Sequence, residues 1–517
     1  MGRAEPFVGY SWILRTIIWV LVPAFAAWQF ARLRRAFHVF QLEAYKRPWF
    51  RSWVAAQPGR RWFLHPFKDA KKPLVMTGRA WRTVVTGTLL TVFGILIPSG
   101  VVHVSFGTPY DLLTCALMFS LMLYGLPELL LVSDALMKPV QSAINGRFLR
   151  AAQRRLRLID PVVVGVTGSY GKTSTKFAVA RVLGDGGDVL ASPASFNTTL
   201  GVARTINEEL NDGHRVLVVE MGARREGDIA EICDVVHPKI GVLTAIGPAH
   251  LETFGSLDAV RRTKFELIRA LPADGVAVVN VDDDEVRTLV DGGAVPEGVA
   301  TIRYGLDPGG KPGVTAKGLR QLPRGTAFTI VSGAEEVDVE TRLLGRHAIG
   351  HVLAGVAVAR ALGKPLASLG PGIAGMTPAE HRLQIIDGAG GVVVIDDAYN
   401  SNPQGAAEAL EVLRAMPGGK RIVISPGMVE LGPEQHRANV EFGRHAAEVA
   451  DVFIAVAPLN RAALLEGAAA ADGIGETIAV GSLAEATARL AGLVSAGDVV
   501  LFENDLPDQY EESSRQG

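Results

Sequence analysis

The hydrophobic pattern changes character once along the chain. Before about residue 160, three apolar stretches are long enough to cross roughly 30 Å of hydrocarbon: about Phe7 to Phe30, Thr83 to Phe106 and Leu112 to Val132. From Pro161 onward, short β-branched runs alternate with Ala/Glu/Arg-rich helical stretches. The runs are Val162–Val166, Val216–Val219, Ile240–Thr244, Val276–Asn280, Val392–Ile395, Ile422–Ser425, Val452–Val456 and Val499–Phe502. That alternation predicts α/β architecture, with parallel sheets covered by helices. The Gly/Pro-rich stretch 307–314 reads as a surface loop.

Charge sharpens the division. The 517 residues carry a net charge of only -1, which argues against bulk polyanion binding and predicts no nucleic-acid partner. Yet thirteen Lys/Arg fall between Ala31 and Arg82 against Glu43 and Asp69 alone, and all seven Trp precede residue 82. No Lys or Arg occurs from Thr83 through Met137. These features predict about three transmembrane helices and a multi-pass protein of the cell membrane, its lipid bilayer a partner. The basic segments place the C-terminal part on the cytoplasmic side. The two cysteines, Cys115 and Cys233, predict no structural disulfide.

The strongest motif is Thr167-Gly168-Ser169-Tyr170-Gly171-Lys172-Thr173-Ser174, between the strand VVVGV and a helical run, Thr175–Leu183. Glycines at such a turn let backbone N–H groups face phosphates at a helix N-terminus. Lys172 then bridges the outer phosphates, and the Thr173 hydroxyl holds Mg²⁺. Val166 stands where the strict P-loop has its first Gly. Downstream, Glu220 ends a strand, where open α/β folds bind ligands. His250 follows another strand, and Lys264 sits on a predicted helix, Ser256–Leu271. Singly, Glu220 reads equally well as an ordinary strand end, whereas His250 reads more readily as a structural residue and Lys264 as a surface ion-pairing one.

Together these residues resemble the Mur ligases, ATP-dependent amide-forming enzymes of peptidoglycan synthesis. The branch most similar joins D-alanyl-D-alanine to a UDP-N-acetylmuramoyl tripeptide. The matching features are TGSYGKTSTK at 167–176, Asn197-Thr198, Gly201-Val202, EMGARREGDI at 220–229 and AHLETFGS at 249–256. Lys264 with Glu266, Asn280 with Asp282-Asp283, His381-Arg382 and DDAYNSNP at 396–403 continue the series. The resemblance implies a P-loop central ATP-binding domain with a parallel sheet at 158–378. It implies a Rossmann-like C-terminal domain at 379–517, after a membrane region at 1–157.

The resemblance further implies ATP and Mg²⁺ as cofactors, with a substrate carboxylate turned into an acyl phosphate that an amine attacks. One Mg²⁺ would lie near Thr173 and Glu220, and a second near His250 and a carbamylated Lys264. Arg382 would reach the γ-phosphate and Asp397 the ribose, with Asn280 on the nucleotide side. Asn197, Thr198, Tyr399, Asn400 and Asn402 would shape the substrate site. The expected partners are a small-molecule or lipid-linked carboxylate and an amino acid or dipeptide. Two alternatives stand beside this reading: a poly-γ-glutamate-type capsule ligase, and a non-catalytic ATP-binding scaffold.

The chain departs from the family at four places. Membrane-like stretches and a basic segment occupy the positions of the UDP-sugar-binding domain. His347-Ala348-Ile349-Gly350-His351 replaces a His-Asn pattern with a further Asn. Pro426-Gly427-Met428-Val429-Glu430-Leu431-Gly432 lacks the Asp of Gly-Asp-Met-x-Glu-Leu-Gly. Glu503-Asn504-Asp505 stands where Lys-Gly-Ser is usual.

Overall fold

The computed structural model describes residues 8–42, 45–56, 62–63, 73–106, 110–184, 186–193, 196–248, 251–307, 309, 311–322, 324–378, 380–399, 401–429, 431–456, 458–471 and 475–505. For 8–19, 251 and 252 it describes the backbone alone. The chain forms two compact units, Met1–Arg147 and Phe148–Gly517.

The first unit is helical: Val8–Leu42, Arg47–Ala56, Gly78–Phe106, Tyr110–Tyr124 and the start of Leu126–Ile159. Leu33, Phe37, Phe40, Phe50, Val84 and Leu130 form its main core. Arg32 is fully buried and donates to Trp62 O at 2.7 Å, Gln29 Oε1 at 2.6 Å and Leu123 O at 3.1 Å. Asp134 receives Arg79 at 2.8 Å and Arg47 at 3.3 Å. The basic segment is thus partly spent on internal hydrogen bonds.

The multi-pass expectation is overturned here. Among the described helices, only Gly78–Phe106 is by itself long and apolar enough to cross a membrane. The stretch Leu112–Val132 is no straight crossing, because Tyr110–Tyr124 and Leu126–Ile159 meet at 82°. Gly125 makes that corner; a Cβ there would lie 2.8 Å from Leu121 O. The stretch from Phe7 falls partly outside the described residues, and its helix goes on to bury Gln29 and Arg32. Apolar length alone does not separate a spanning helix from a core helix.

The second unit is built on two sheets. The nine strands of the first are β1 Val162–Thr167, β2 Val189–Ala191, β3 Val216–Glu220, β4 Ile240–Leu243, β5 Val276–Asn280, β6 Ala300–Tyr304, β7 Val314–Leu322, β8 Gly325–Ser332 and β9 Glu335–Thr341. Their order is β2-β3-β1-β4-β5-β6-β7-β8-β9, parallel through β7 and antiparallel beyond. Alternation along β1 sends Val164 and Val166 into the core beneath helices Lys172–Leu183 and Arg346–Ala361. Val163 faces the opposite layer, with Val202, Ile206, Ile229 and Ile232. Such two-sided burial explains why the central strands read as continuous β-branched runs.

The second sheet comprises β10 Gln384–Asp387, β11 Val393–Asp397, β12 Arg421–Ser425, β13 Val452–Val456, β14 Glu476–Val480 and β15 Val499–Glu503. Its order is β10-β11-β15-β12-β13-β14, with only β10 antiparallel. Every strand expected from the apolar runs is present. The sequence pattern did not reveal β2, β10, β14 or the half-exposed β6–β9, so the first sheet is mixed rather than parallel throughout. The expected helix Ser256–Leu271 divides at Phe265 into Leu257–Lys264 and Glu266–Arg269. Residues 307–313 link β6 to β7, as the Gly/Pro content implied. Both cysteines are free and buried.

Candidate active site

The phosphate-loop motif leaves the C-terminal end of β1, the third strand of the first sheet, between β3 and β4. Two glycines are required by space as well as by dihedral angle. Gly168 has φ +155°, and a Cβ on it would sit 2.0 Å from Thr244 Oγ1; at Gly171, φ +74°, it would sit 2.7 Å from His351 Cε1. Thr167 ties the loop to β3 by donating to Met221 O at 2.8 Å. Ser169 donates to Gly247 O at 3.0 Å and accepts from Gly247 N at 2.9 Å. Lys172 opens its helix and folds back, its Nζ donating to Gly168 O at 2.8 Å and Ser169 O at 3.1 Å. Thr173 and Ser174, in the first turn, face a cavity. The amides of that turn have no helical acceptor, which suits an anion.

Behind the loop, Glu220 at the end of β3 is buried and held from two sides. Lys176 Nζ lies 3.3 Å from Oε2, and Asn197 Nδ2 donates to Oε1 at 3.0 Å. Lys176, one turn after Lys172 in the same motif, went unassigned in the sequence; its i+4 spacing was the available signal. Thr198 caps the helix Thr199–Glu208, accepting from Gly201 N at 3.3 Å, so its hydroxyl already has a structural task. Lys264 is 2% exposed. Burial, with the charge of Lys172 second, pulls its ammonium down to about 7. Lys172 itself is lowered to about 8 by desolvation, with Glu220 opposing and Arg382 adding to the fall. His250 lies outside the described residues.

Asn280, at the end of β5, donates to Thr244 O at 2.8 Å and receives Asp282 N at 3.1 Å, so it braces the cavity wall. Across the cavity stand residues of the second sheet. Arg382 sits between His381 and Leu383, both in the left-handed region at φ 57° and 47°. Leu383 N donates to Asp397 Oδ1 at 3.1 Å, and His381 Nδ1 lies 2.7 Å from Asp396 Oδ2. These ties aim the Arg382 guanidinium over the Tyr399 ring at 4.6 Å. Burial raises Asp397 to about 6 against the pull of Arg382. Asn402 caps the helix Pro403–Ala415, accepting from Gly405 N at 3.0 Å, and Asn400 lies outside the described residues.

The cavity between the two sheets has a volume of about 920 Å³. Gly171, Thr173, Ser174 and Asn280 line it from one side, and Arg382, Asp397, Tyr399 and Asn402 from the other. Lys172, Glu220 and Lys264 do not line the cavity themselves; burial is the first cause of the lowered values of both lysines, with Glu220 and Arg382 acting on Lys172 and Lys172 on Lys264. Crowded cations with lowered pKa values are what a bound polyanion would relieve. Also lining the cavity, Tyr170 Oη of the phosphate loop and His347 Nε2 of the helix Arg346–Ala361 are buried without a hydrogen-bond partner among the described residues. A nucleotide offers groups for both. The oxygen donors of Thr173 and Glu220 suit a hard cation.

Comparison with known proteins agrees with this construction. The Mur ligase middle domain family matches residues 166–359, and the Mur ligase, glutamate ligase domain family matches 381–503. A UDP-N-acetylmuramoyl-tripeptide–D-alanyl-D-alanine ligase of Mycobacterium leprae is 33% identical over 369 residues, covering 66% of this chain and 70% of its own. The Escherichia coli enzyme of that name is 32% identical over 284 residues, covering 55% and 62%. Among solved structures, MurF from Acinetobacter baumannii superimposes with a TM-score of 0.63 at 27% identity, covering 72% of this chain and 79% of that one. MurF from Thermotoga maritima in complex with ADP gives 0.62 at 26% identity, covering 72% and 82%. The chain therefore belongs to the Mur ligase family and is an ATP-dependent, ADP-forming amide ligase that works with Mg²⁺.

Proposed function

We propose that this ligase activates a substrate carboxylate as an acyl phosphate, which an amine attacks to give an amide and phosphate, in peptidoglycan synthesis. The reading takes 158–378 as the ATP-binding domain and 379–517 as the domain that brings the amine. ATP supplies the phosphoryl group, and Mg²⁺ supplies counter-charge for it. Lys172 turns from the Gly168 and Ser169 carbonyls to the outer phosphates, while the Gly168–Gly171 backbone wraps them. Thr173 and Glu220 hold the metal, with Lys176 and Asn197 fixing the Glu220 carboxylate. Arg382 contacts the γ-phosphate from the opposite domain, and Asp397 the ribose. Lys264, as a neutral amine, would take up CO₂ with loss of a proton, and its carbamate and His250 would hold a second metal.

The observation that carries this reading is the meeting of two sheets at one cavity, lined by Gly171, Thr173 and Ser174 of the phosphate loop on one side and by Arg382 and Asp397 on the other. Splitting a triphosphate beside a carboxylate brings anions together, and preplaced cations are the means of doing so. The acceptor and amine named for the relatives, a UDP-N-acetylmuramoyl tripeptide and D-alanyl-D-alanine, are the first pair to test. Phosphate release by the purified full chain should require both. Lys172→Ala should lower it by roughly 10²–10³-fold, as loss of one transition-state donor commonly does. Release with glutamate alone would instead indicate a capsule-type polymer ligase. Nucleotide binding without acceptor-stimulated release would overturn the catalytic assignment.

A further inference from the structure

Besides the groups given to ATP, the second sheet brings an acid to the cavity. β11, β15 and β12 lie side by side and parallel, with Asp397 in register with Glu503 and Ile424 with Phe502. Their C-terminal ends thus set Asp397, Glu503 and Ser425 in a row, at the edge where parallel sheets bind ligands. Glu503 lines the cavity although only 1% of it is exposed. Each of its oxygens is held by a hydroxyl: Ser425 Oγ donates to Oε2 at 2.8 Å, and Ser401 Oγ donates to Oε1. Among the described residues, no Lys, Arg or His ion-pairs with it. Its charged neighbour is Asp397, of the same sign.

A brace between two serines needs only a hydrogen-bonding group, and an amide would serve. A buried carboxyl facing a cavity without a counter-ion is costly to ionise unless a cation arrives, and an arriving cation is what would make the ionised form favourable. We propose that Glu503 is the subsite for the ammonium group of the incoming amine. This rests on the ligase reading above and names the ligand class of its amine position. The chemistry of attack supports it. An ammonium has no lone pair, so its nitrogen must pass one proton to a carboxylate oxygen before it can act as a nucleophile. No other bond changes in that step. Burial, with Asp397 adding to it, raises Glu503 to about 8. That is close to the α-amino range of about 7.7–8.0, so passing a proton from the ammonium to this carboxylate costs little free energy.

The test is equilibrium titration of the full chain saturated with Mg·ADP. The probes are D-alanyl-D-alanine, glycine and glutamate, each against its N-acetylated form. At least one free amine should bind about tenfold or more tightly than its acetylated partner. In Glu503→Gln that preference should shrink to about twofold or less, with Mg·ADP affinity retained as evidence of a folded site. Ser425→Ala, which removes one of the two hydroxyl clamps, should move the preference the same way by less, and it serves if the Gln variant does not fold. A Gln variant that keeps the tenfold preference overturns the subsite. So does a wild-type chain showing no preference for any of the three amines. Failure of acceptor-stimulated phosphate release with the preference intact would instead strike the ligase reading and leave the subsite standing.

Discussion

At the scale of single residues, the site works through groups held away from their ordinary ionisation. An exposed lysine has fewer than about one amine in a thousand uncharged at neutral pH, and a buried one lowered to about 7 has roughly half. On the proposed reading, Lys264 would react with CO₂ more readily than a surface lysine. Because its folded value is depressed, the reactive form grows as pH rises through about 7. A carbamate signal from ¹³C-bicarbonate should therefore strengthen from about pH 6 to 8 and vanish in Lys264→Ala. That variant should lose activity that short carboxylates restore in part and bicarbonate does not. An unchanged turnover rate in Lys264→Ala would remove this lysine from the mechanism. In the sequence Lys264 was one helical lysine among many; burial, which singles it out, comes from helices that pack around it. Thr198 and Asn402 show the converse. Their motif positions were legible, yet their side chains cap helices, and that role came into view only with the backbone.

At the scale of elements, the phosphate loop is a place where a strand must end, turn and start a helix within a few residues. Its glycines answer different demands from those elsewhere. A methyl group on Gly168 meets Thr244 and the Ala245 backbone at once, in a conformation L-residues avoid. Gly168→Ala should cost about 1–3 kcal/mol or more of stability and abolish stabilisation by Mg·ADP. Gly350, inside helix Arg346–Ala361, has nothing within 4 Å of the added carbon. Gly350→Ala should stabilise the nucleotide-free protein by up to about 1 kcal/mol. Urea denaturation of the two variants should show opposite shifts of midpoint; shifts of one sign would mean the loop is not the tight turn described. The strand–loop–helix order itself was readable, because β1 is an unbroken β-branched run ahead of a glycine-rich turn. The hairpins β7–β9 were not, since β7 and β9 carry too few apolar residues and β8, though mostly buried, is built largely of small and hydroxyl residues.

At the scale of the whole molecule, function depends on residues some 200 positions apart closing on one nucleotide. Ligand binding is then coupled to the stability of the unit that holds both sheets. Mg·ADP at about a hundred times its dissociation constant should add roughly 2.7 kcal/mol to the unfolding free energy. The rise in melting midpoint belongs to Phe148–Gly517 and is best followed by circular dichroism, because all seven Trp precede residue 82 and report the other unit. Lys172→Ala should lose most of that rise, and an equal rise in the variant would place nucleotide elsewhere.

The sequence by itself determined the α/β character of the second unit, the phosphate loop and the family. Strand periodicity, glycine punctuation and ordered motifs are local signals that survive without contacts. It misjudged the first unit, where apolar length suggested three crossings. The corner at Gly125 and the buried Arg32 and Gln29 depend on what packs around them, which no stretch of sequence contains. Tertiary structure alone decided the pairing of Lys176 with Glu220 and the placing of Glu503. Read along the chain, Glu503 was only a lost Lys-Gly-Ser signature. In the fold it is a carboxyl lining the cavity between two serines, because parallel strands distant in sequence end side by side.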